Sequence, residues 1–504
     1  MSINKLPNNI DELKKLVIQK HNQLESQSNE IQGLKDIISL LQRKKFAPSS
    51  EIVNSNQTSL FNELEDLIEE EPSSEEDEKE TITYDRVKNK KRPRIPESLP
   101  RIENVIDLPD EEKFCSHDGT PLKEIGEEVS EQLEIIPAKI QVIKTIRKKY
   151  ACPCCDEGIK TASHTPMLLP KTMATASLIA YIIIAKYADA LPLYRQEKMF
   201  ARIGAMITRQ TMARWMIVVS KQLLPLYNLL QDKLLEKKYL QMDETTVQVL
   251  KEDGKNATSK SYMWVRHAPG KNPIVLYDYA PTRSGEVPIN LLEEFKGYLQ
   301  VDGYDGYQRA CVQYNLIRLG CMDHCRRKFF DAMKSSGGKG VGKKGIGFLK
   351  KVYKVEKQIQ DFKVKEKYRV RQSKSKPILE EMKKWIDEVR GKITPKSIAG
   401  KAINYAFNEW EYLIGYLEDG QLNISNAWVE NKIRPFCIGR KNWLFSNSVD
   451  GAEASAMYYS LIETAKANDM EPFDYMNEML KNLPFAQSIE DFERLLPLKG
   501  QFLT

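Results

Sequence analysis

Three acidic residues in three different local settings constrain the fold of this chain more than any other feature: Asp243 in LQMDETTVQVL, Asp302 in GYLQVDGYDGY and Glu430 in SNAWVENKIRP. Leu240, Met242, Val247 and Val249 flank the first, and Leu299 and Val301 lead into the second before a Gly-rich turn, so both acids read as strand residues. The third falls on a predicted helix that Asn423 or Ser425 would cap, while Pro435 and the stretch Cys437 to Gly439 predict an end at Arg434. A fold that gathers two strand acids and one helix acid suits a hard cation. Mg²⁺ takes oxygen ligands in near-octahedral geometry and keeps positions open for water and phosphate oxygens, and two such ions activate one oxygen while stabilising a departing one. Taken singly, an Asp at a strand end is also a common turn former.

Upstream, Ile10, Leu13, Val17, Leu24, Ile31, Leu34, Ile38 and Leu41 occupy the a and d positions of one heptad register, with Lys20 and Gln27 as polar interruptions. That seam predicts a self-associating coiled coil; a lone amphipathic helix folded onto the body is the alternative. The stretch from Glu63 to Pro100 has the charge and Ser/Pro content of a disordered linker. A cysteine region follows. Cys152 and Cys155 form a C-x-x-C knuckle, and Cys115 with His117 or Asp118 completes a candidate tetrahedral zinc site around two Val/Ile-rich strands, the second bearing Lys144, Arg147, Lys148 and Lys149. Mixed ligation satisfies zinc chemically, and a metal-free pair of strands satisfies the sequence equally. From Lys171 to Leu235 the pattern is helical, and the segment around Gly204 has the grammar of a helix-turn-helix, with Thr208, Arg209, Gln210 and Arg214 on or near a recognition helix. Plain helical packing around Met212, Trp215 and Val218 is the other reading.

Strands are predicted at 240–250, 262–268, 274–279 and 298–302, with KEDGKNAT as a hairpin turn and a fifth strand around Leu316 to Cys321. From Gly337 to about Gly420 the chain is Lys-rich and helical, and its SSGGKGVGKKGIG run contains no G-x-x-x-x-G-K-[ST] pattern, which excludes a P-loop. His324, in CMDHCRRKFF, could bind phosphate, position a water or serve structure alone. With Cys321 and Cys325 it would suggest a metal site, but thiolates suit Mg²⁺ poorly and no fourth soft ligand is in view. Arg326, Arg327 and Lys328 read as contacts to a DNA backbone or as solvated surface. On the glutamate helix Asn426, Glu430 and Arg434 recur every fourth residue, so Asn426 and Arg434 would face DNA if Glu430 faces metal. Arg440 and Lys441 would grip phosphate, Trp443 either stacks on a base or packs inward, and Leu444 and Phe445 read as core.

The stretches VDGYDGYQRA, CMDHCRRKFFDA and NAWVENKIRPFCIGRKNWLFSNSVDGAEASAMYYSLIETAKAND closely resemble the transposase of the insertion-sequence-66 family, TnpC type. The resemblance covers most of the chain from about the first cysteine onward. It implies a DDE-type transposase whose catalytic Asp243, Asp302 and Glu430 hold Mg²⁺ or Mn²⁺ in a ribonuclease-H-like core, and it favours an active-site supporting role for His324. The family's first knuckle usually reads C-x-x-C, and Asp118 departs from it. The expected organisation is a multidomain α+β/α chain. It comprises a coiled coil (1–50), a charged disordered linker (51–100), a zinc-ribbon-like DNA-binding module (101–165) and a helix-turn-helix-like DNA-binding region (166–236). The core follows in two parts (237–336 and 421–480), split by an all-helical insertion (337–420) and ending in a tail (481–504).

Charge and cysteine usage agree with a cytoplasmic, nucleoid-associated DNA enzyme. The net +6 conceals an acidic run from Glu63 to Glu80 beside a basic string from Arg86 to Arg94. No apolar stretch approaches the roughly 20 residues that cross a bilayer. Eight cysteines, half of them in one small region, read as metal ligands or reduced thiols. The expected partners are double-stranded DNA (terminal inverted repeats and target), a second copy of the chain and accessory proteins of the same element. Two rival functions fit fewer of the motifs: a decayed copy acting as a DNA-binding repressor, and a non-enzymatic coiled-coil scaffold.

Overall fold

The computed structural model describes residues 140–150 and 160–503, together with the single positions Lys14, Lys20, Gln27, Ile31 and Ile38. The rest of the heptad seam, the linker and the proposed zinc ligands Cys115, His117, Cys152 and Cys155 lie outside the described residues. The five single positions are all helical. The chain divides into two compact units, residues 56–146 and the remainder. Of the first, only 140–146 is described, and it is exposed and without regular structure. The predicted basic strand is shorter than expected: only β1, Lys149–Tyr150, pairs antiparallel with β2, Lys160–Thr161. Arg147 stitches this ribbon by donating from Nε to the Ala162 carbonyl at 2.8 Å.

In the second unit four helices precede the main sheet: α1 Ala176–Tyr187, α2 Leu193–Arg202, α3 Arg209–Gln222 and α4 Leu224–Leu235. The sheet itself holds β3 Tyr239–Lys251, β4 Lys260–Ala268, β5 Ile274–Ala280, β6 Tyr298–Gln300 and β7 Ile317–Leu319 in the order β5-β4-β3-β6-β7. The first three form an antiparallel meander, and β6 and β7 continue parallel to β3. Helix α5 Glu286–Leu291 leads to β6, and α6 Gly306–Tyr314 connects β6 to β7, the kind of crossover a parallel pair requires. β3 is central and its first residues are buried in succession rather than alternately, as expected of a strand covered on both faces.

After β7 comes the expected helical stretch: α7 Met322–Ser335, α8 Gly340–Gln358, α9 Val364–Val370, α10 Lys376–Arg390, α11 Ile398–Asn408 and α12 Trp410–Ile414. The Gly-rich run serves packing. A Cβ on Gly342 would collide with the Met333 backbone and one on Gly345 with the Phe329 ring, so these glycines let α8 lie directly on α7. The glutamate helix, α13 Ala427–Trp443, does not end at Arg434 as Pro435 predicted. Phe436 beyond the proline is fully buried, and the Tyr277 hydroxyl donates to the Lys432 carbonyl in the disturbed turn, so packing carries the helix through.

β8, Ser446–Ser448, pairs with the far end of β3 and leads into α14, Val449–Ala467, which is buried on nearly every side. One stripe of this helix covers the sheet edge. Ser460 Oγ accepts the Tyr277 N–H at 2.8 Å, Thr464 Oγ1 accepts the Val275 N–H at 3.0 Å, and Asn468 Nδ2 donates to the Pro273 carbonyl at 2.9 Å. The outward backbone groups of Val275 and Tyr277 are thereby satisfied and closed to pairing with another chain. Helices α15, Pro472–Asn482, and α16, Ile489–Glu493, follow. Of the described residues in 481–504, the stretch expected as a tail, Leu495, Leu496 and Leu498 are buried, and the Tyr475 hydroxyl donates to the Leu495 carbonyl at 3.1 Å.

Candidate active site

The two aspartates reach one place through a repeated local pattern, Asp243 within β3 and Asp302 two residues past the end of β6, which is shorter than the predicted 298–302. Gln241 stands two residues before Asp243 and Gln300 two before Asp302, and the glutamines are register partners on the adjacent parallel strands β3 and β6. Period-2 geometry then sets each acid on the same face as its glutamine, one step beyond the pair. Gln241 Nε2 donates to Gln300 Oε1 at 2.8 Å and to the Ser425 carbonyl at 3.0 Å, while its Oε1 accepts the Val429 N–H at 3.2 Å. Gln300 Nε2 donates to the carbonyls of Gly320 and Asn423. Both side chains are buried. This glutamine clamp ties β3, β6 and the start of α7 to the first turn of α13, the turn that carries Glu430.

Four carboxyl groups converge there. Burial pushes the Asp243 carboxyl well above its ordinary range, and the charges of Glu244, Glu430 and Asp302 push it further. Asp302 accepts the Tyr304 N–H at 2.9 Å, and Arg318 donates to the Asp302 carbonyl at 3.0 Å and to Glu409 at 2.7 Å, so the loop behind β6 is held from the junction of α11 and α12. Glu244, on the neighbouring position of β3, is sealed in by Arg283 and the Tyr307 hydroxyl. Burial raises its carboxyl too, opposed by those two partners. Glu430 is half-buried, with Oε2 on the Arg327 guanidinium and Oε1 lying 3.8 Å from His324 Nδ1. Burial lowers the His324 pKa, with Glu430 opposing, which favours a neutral imidazole.

Donor chemistry fits a divalent cation. The acids are all oxygen donors, and among the described residues Glu430 Oε1, His324 Nδ1 and both side-chain atoms of Asn426 are buried without a hydrogen-bond partner. Buried polar atoms in a folded protein are normally satisfied, so this concentration of orphans marks a place built for something else to complete.

Not every residue assigned from sequence stands where it was expected. Arg326 is buried against Asp323 (3.3 Å) and the Tyr353 ring, so it offers nothing to DNA. Asn426 is fully buried at the start of α13, again away from any duplex. Arg440 is spent on β3, donating to Thr245 Oγ1 and Thr246 Oγ1 at 3.1 Å each. Arg327 serves Glu430. Arg209 and Arg214 are exposed on α3, whose N-cap Thr208 accepts the Thr211 N–H, and Lys148 and Lys441 are exposed as well; Arg434 is half-buried. Trp443 packs edge-on against Phe436, whereas Leu444 is 63% and Phe445 41% exposed, because the longer helix turns its end outward. The glutamines, Arg283, Tyr307, Arg318 and Glu409 were missed from sequence. A Q-x-D repeat in LQMD and LQVD was the available signal for the first two; nothing local marked the others.

The family model described as "Transposase IS66 family" matches residues 171–454. The "zinc-finger binding domain of transposase IS66" matches 112–156, the "IS66 C-terminal element" 460–498, and "Transposase C of IS166 homeodomain" 33–103, which spans the stretch expected as a linker. Among curated relatives, uncharacterized protein y4qI of Sinorhizobium fredii is 33% identical over 94% of this chain and 90% of its own length. Uncharacterized protein y4jD of the same organism is 32% identical over 80% of this chain and 81% of its own. No helix among the described residues is long and apolar enough to cross a membrane.

Proposed function

The chain belongs to the IS66 family of insertion-sequence transposases, DNA-binding proteins that carry a zinc-finger domain and use divalent metal, and from that premise we propose a DDE-type reaction on a ribonuclease-H-like core. In this reading the chain binds the terminal inverted repeats of its element through the modules before residue 237. It hydrolyses a phosphodiester at each end, and the freed 3′-hydroxyl then attacks target DNA in line. The observation that carries the reading is the common position of Asp243, Asp302 and Glu430 at the glutamine clamp, where burial and the neighbouring acids raise the Asp243 carboxyl above its ordinary range.

Asp243, Asp302 and Glu430 would hold Mg²⁺ or Mn²⁺, which would polarise the scissile phosphate and lower the pKa of the attacking oxygen. Arg327 engages Oε2 of Glu430 and leaves Oε1 buried without a hydrogen-bond partner among the described residues. Neutral His324 orients a water or a phosphate oxygen beside it. Arg209, Arg214, Lys148 and Lys441 supply cations for the DNA backbone. A second copy of the chain, joined through the heptad seam, pairs the two ends in the cytoplasm beside the nucleoid.

A labelled duplex carrying the element's terminal repeat, incubated with Mg²⁺ or Mn²⁺, tests this reading. The wild type should nick at the element boundary. Glu430→Gln should lose the nick, by at least the roughly 100-fold typical of removing a key electrostatic group, while still shifting the duplex in a gel. Nicking that persists in the variant would overturn the assignment of the third acid.

A further inference from the structure

The fold adds to Cys321 and His324 a third ligand that the linear sequence hides. Cys321 is the residue that starts α7 and His324 lies in its first turn, so the i, i+3 spacing sets them side by side. The clamp brings Glu430 of α13 against them. The sulfur of Cys321, a ring nitrogen of His324 and a carboxylate oxygen of Glu430 all lie within 4.8 Å of one another. Donors held about 2.0–2.3 Å from a tetrahedral Zn²⁺ stand only about 3.3–3.8 Å apart, and His324 Nδ1 and Glu430 Oε1 are already 3.8 Å apart. Both atoms are buried without a hydrogen-bond partner among the described residues. The Asn426 N–H points at Cys321 Sγ from 3.5 Å, the kind of donor that steadies a coordinated thiolate, and the Asn426 side chain beside it is buried and unsatisfied.

We infer that Cys321, His324 and Glu430 form a second cation site that takes a soft divalent ion such as Zn²⁺, and that its occupation withdraws Glu430 from Asp243 and Asp302. The inference rests on the proposed function for its consequence, arrest of cleavage, but not for its binding chemistry. Sulfur, nitrogen and oxygen donors select zinc over Mg²⁺, which demands oxygen. Glu430 offers Oε1 to the soft ion while Oε2 stays on Arg327. Coordination forms one metal–sulfur bond and releases the Cys321 thiol proton to solvent; the fourth position is left to water. Glu430 thus belongs to two mutually exclusive cages.

Co²⁺ titration of the full-length chain tests the site without relying on activity. The wild type should bind one equivalent more than Cys321→Ser, and the difference spectrum should carry a thiolate-to-cobalt charge-transfer band that excess Mg²⁺ does not remove. Cobalt taken up by the cysteines before residue 156 cancels in that difference. His324→Ala should lose the band and Asp243→Asn should keep it; Cys321→Ala, which adds no polar atom to the buried position, checks that the serine variant has not simply unfolded. Superimposable spectra from wild type and both Cys321 variants would overturn the site. In the nicking assay Zn²⁺ should inhibit the wild type, and Cys321→Ala should need at least the ~10-fold higher Zn²⁺ that loss of even an outer partner imposes. Equal inhibition of both proteins would overturn the arrest. A cobalt band from a chain that never nicks would uphold the site and count against the proposed reaction instead.

Discussion

Asp243 is held where its charged form is least comfortable. Its folded pKa lies well above the ordinary 3.8, first through burial and then through three neighbouring acids. An acid with a raised folded pKa makes the native state bind more protons than the unfolded chain, so metal-free stability is greatest below the ordinary value and falls as pH rises toward the folded one. Asp243→Asn removes that loss. At neutral pH without metal the variant should be more stable than the wild type and melt at a higher Tm, and Mg²⁺ should raise its Tm less than that of the wild type. Thermal melts at about pH 5 and pH 8, with and without Mg²⁺, check both statements. A variant no more stable than the wild type at the higher pH would contradict the strained carboxyl. Residue type and strand pattern made Asp243, Asp302 and Glu430 legible in the sequence. The burial of Arg326 and Asn426 was not, since a charge or amide on a helix looks solvent-facing until the partner element is known.

Strands and helices were legible where their periodicity was strong. The meander from β3 to β5 follows apolar segments and a polar turn that the sequence displays openly. The course of α13 through Pro435 does not, because a proline's local penalty of about 3 kcal/mol is offset here by burial of Phe436 and by a hydroxyl from β5. The glutamine clamp lies between these cases: its spacing is visible, its partners are not. Gln241→Leu should strand the Ser425 carbonyl and the Val429 N–H, at about 1–3 kcal/mol for each buried group left unpaired. Urea melts should show the loss, and cleavage should fall further than gel-shift affinity because Glu430 is loosened while the N-terminal modules are untouched. A folded Gln241→Leu protein that cleaves at the wild-type rate would rule out the clamp as the device that positions Glu430.

At the scale of the whole molecule, the seam and the core make separable predictions. Ile31 and Ile38, one heptad apart, are helical and 53% and 55% exposed. Replacing both by Lys should reduce the mass measured by light scattering to that of one chain and leave the thermal transition of the sheet-bearing unit unchanged. An unaltered mass would exclude the seam as the joint between copies. The helical stretch after β7 is also part of the site, since Glu409, between α11 and α12, holds Arg318 and through it the Asp302 loop. What the sequence determined by itself were the kinds of element, the three acids and the family resemblance, because periodicity, turn chemistry and motif spacing are written within a few residues. Only the tertiary structure decided which cations are spent on internal partners, that the last residues dock, and that Glu430 meets Cys321 and His324. Arg327 and Glu430, Arg440 and Thr245, and Cys321 and Glu430 are each more than a hundred residues apart, and no local pattern encodes which groups will share one cavity.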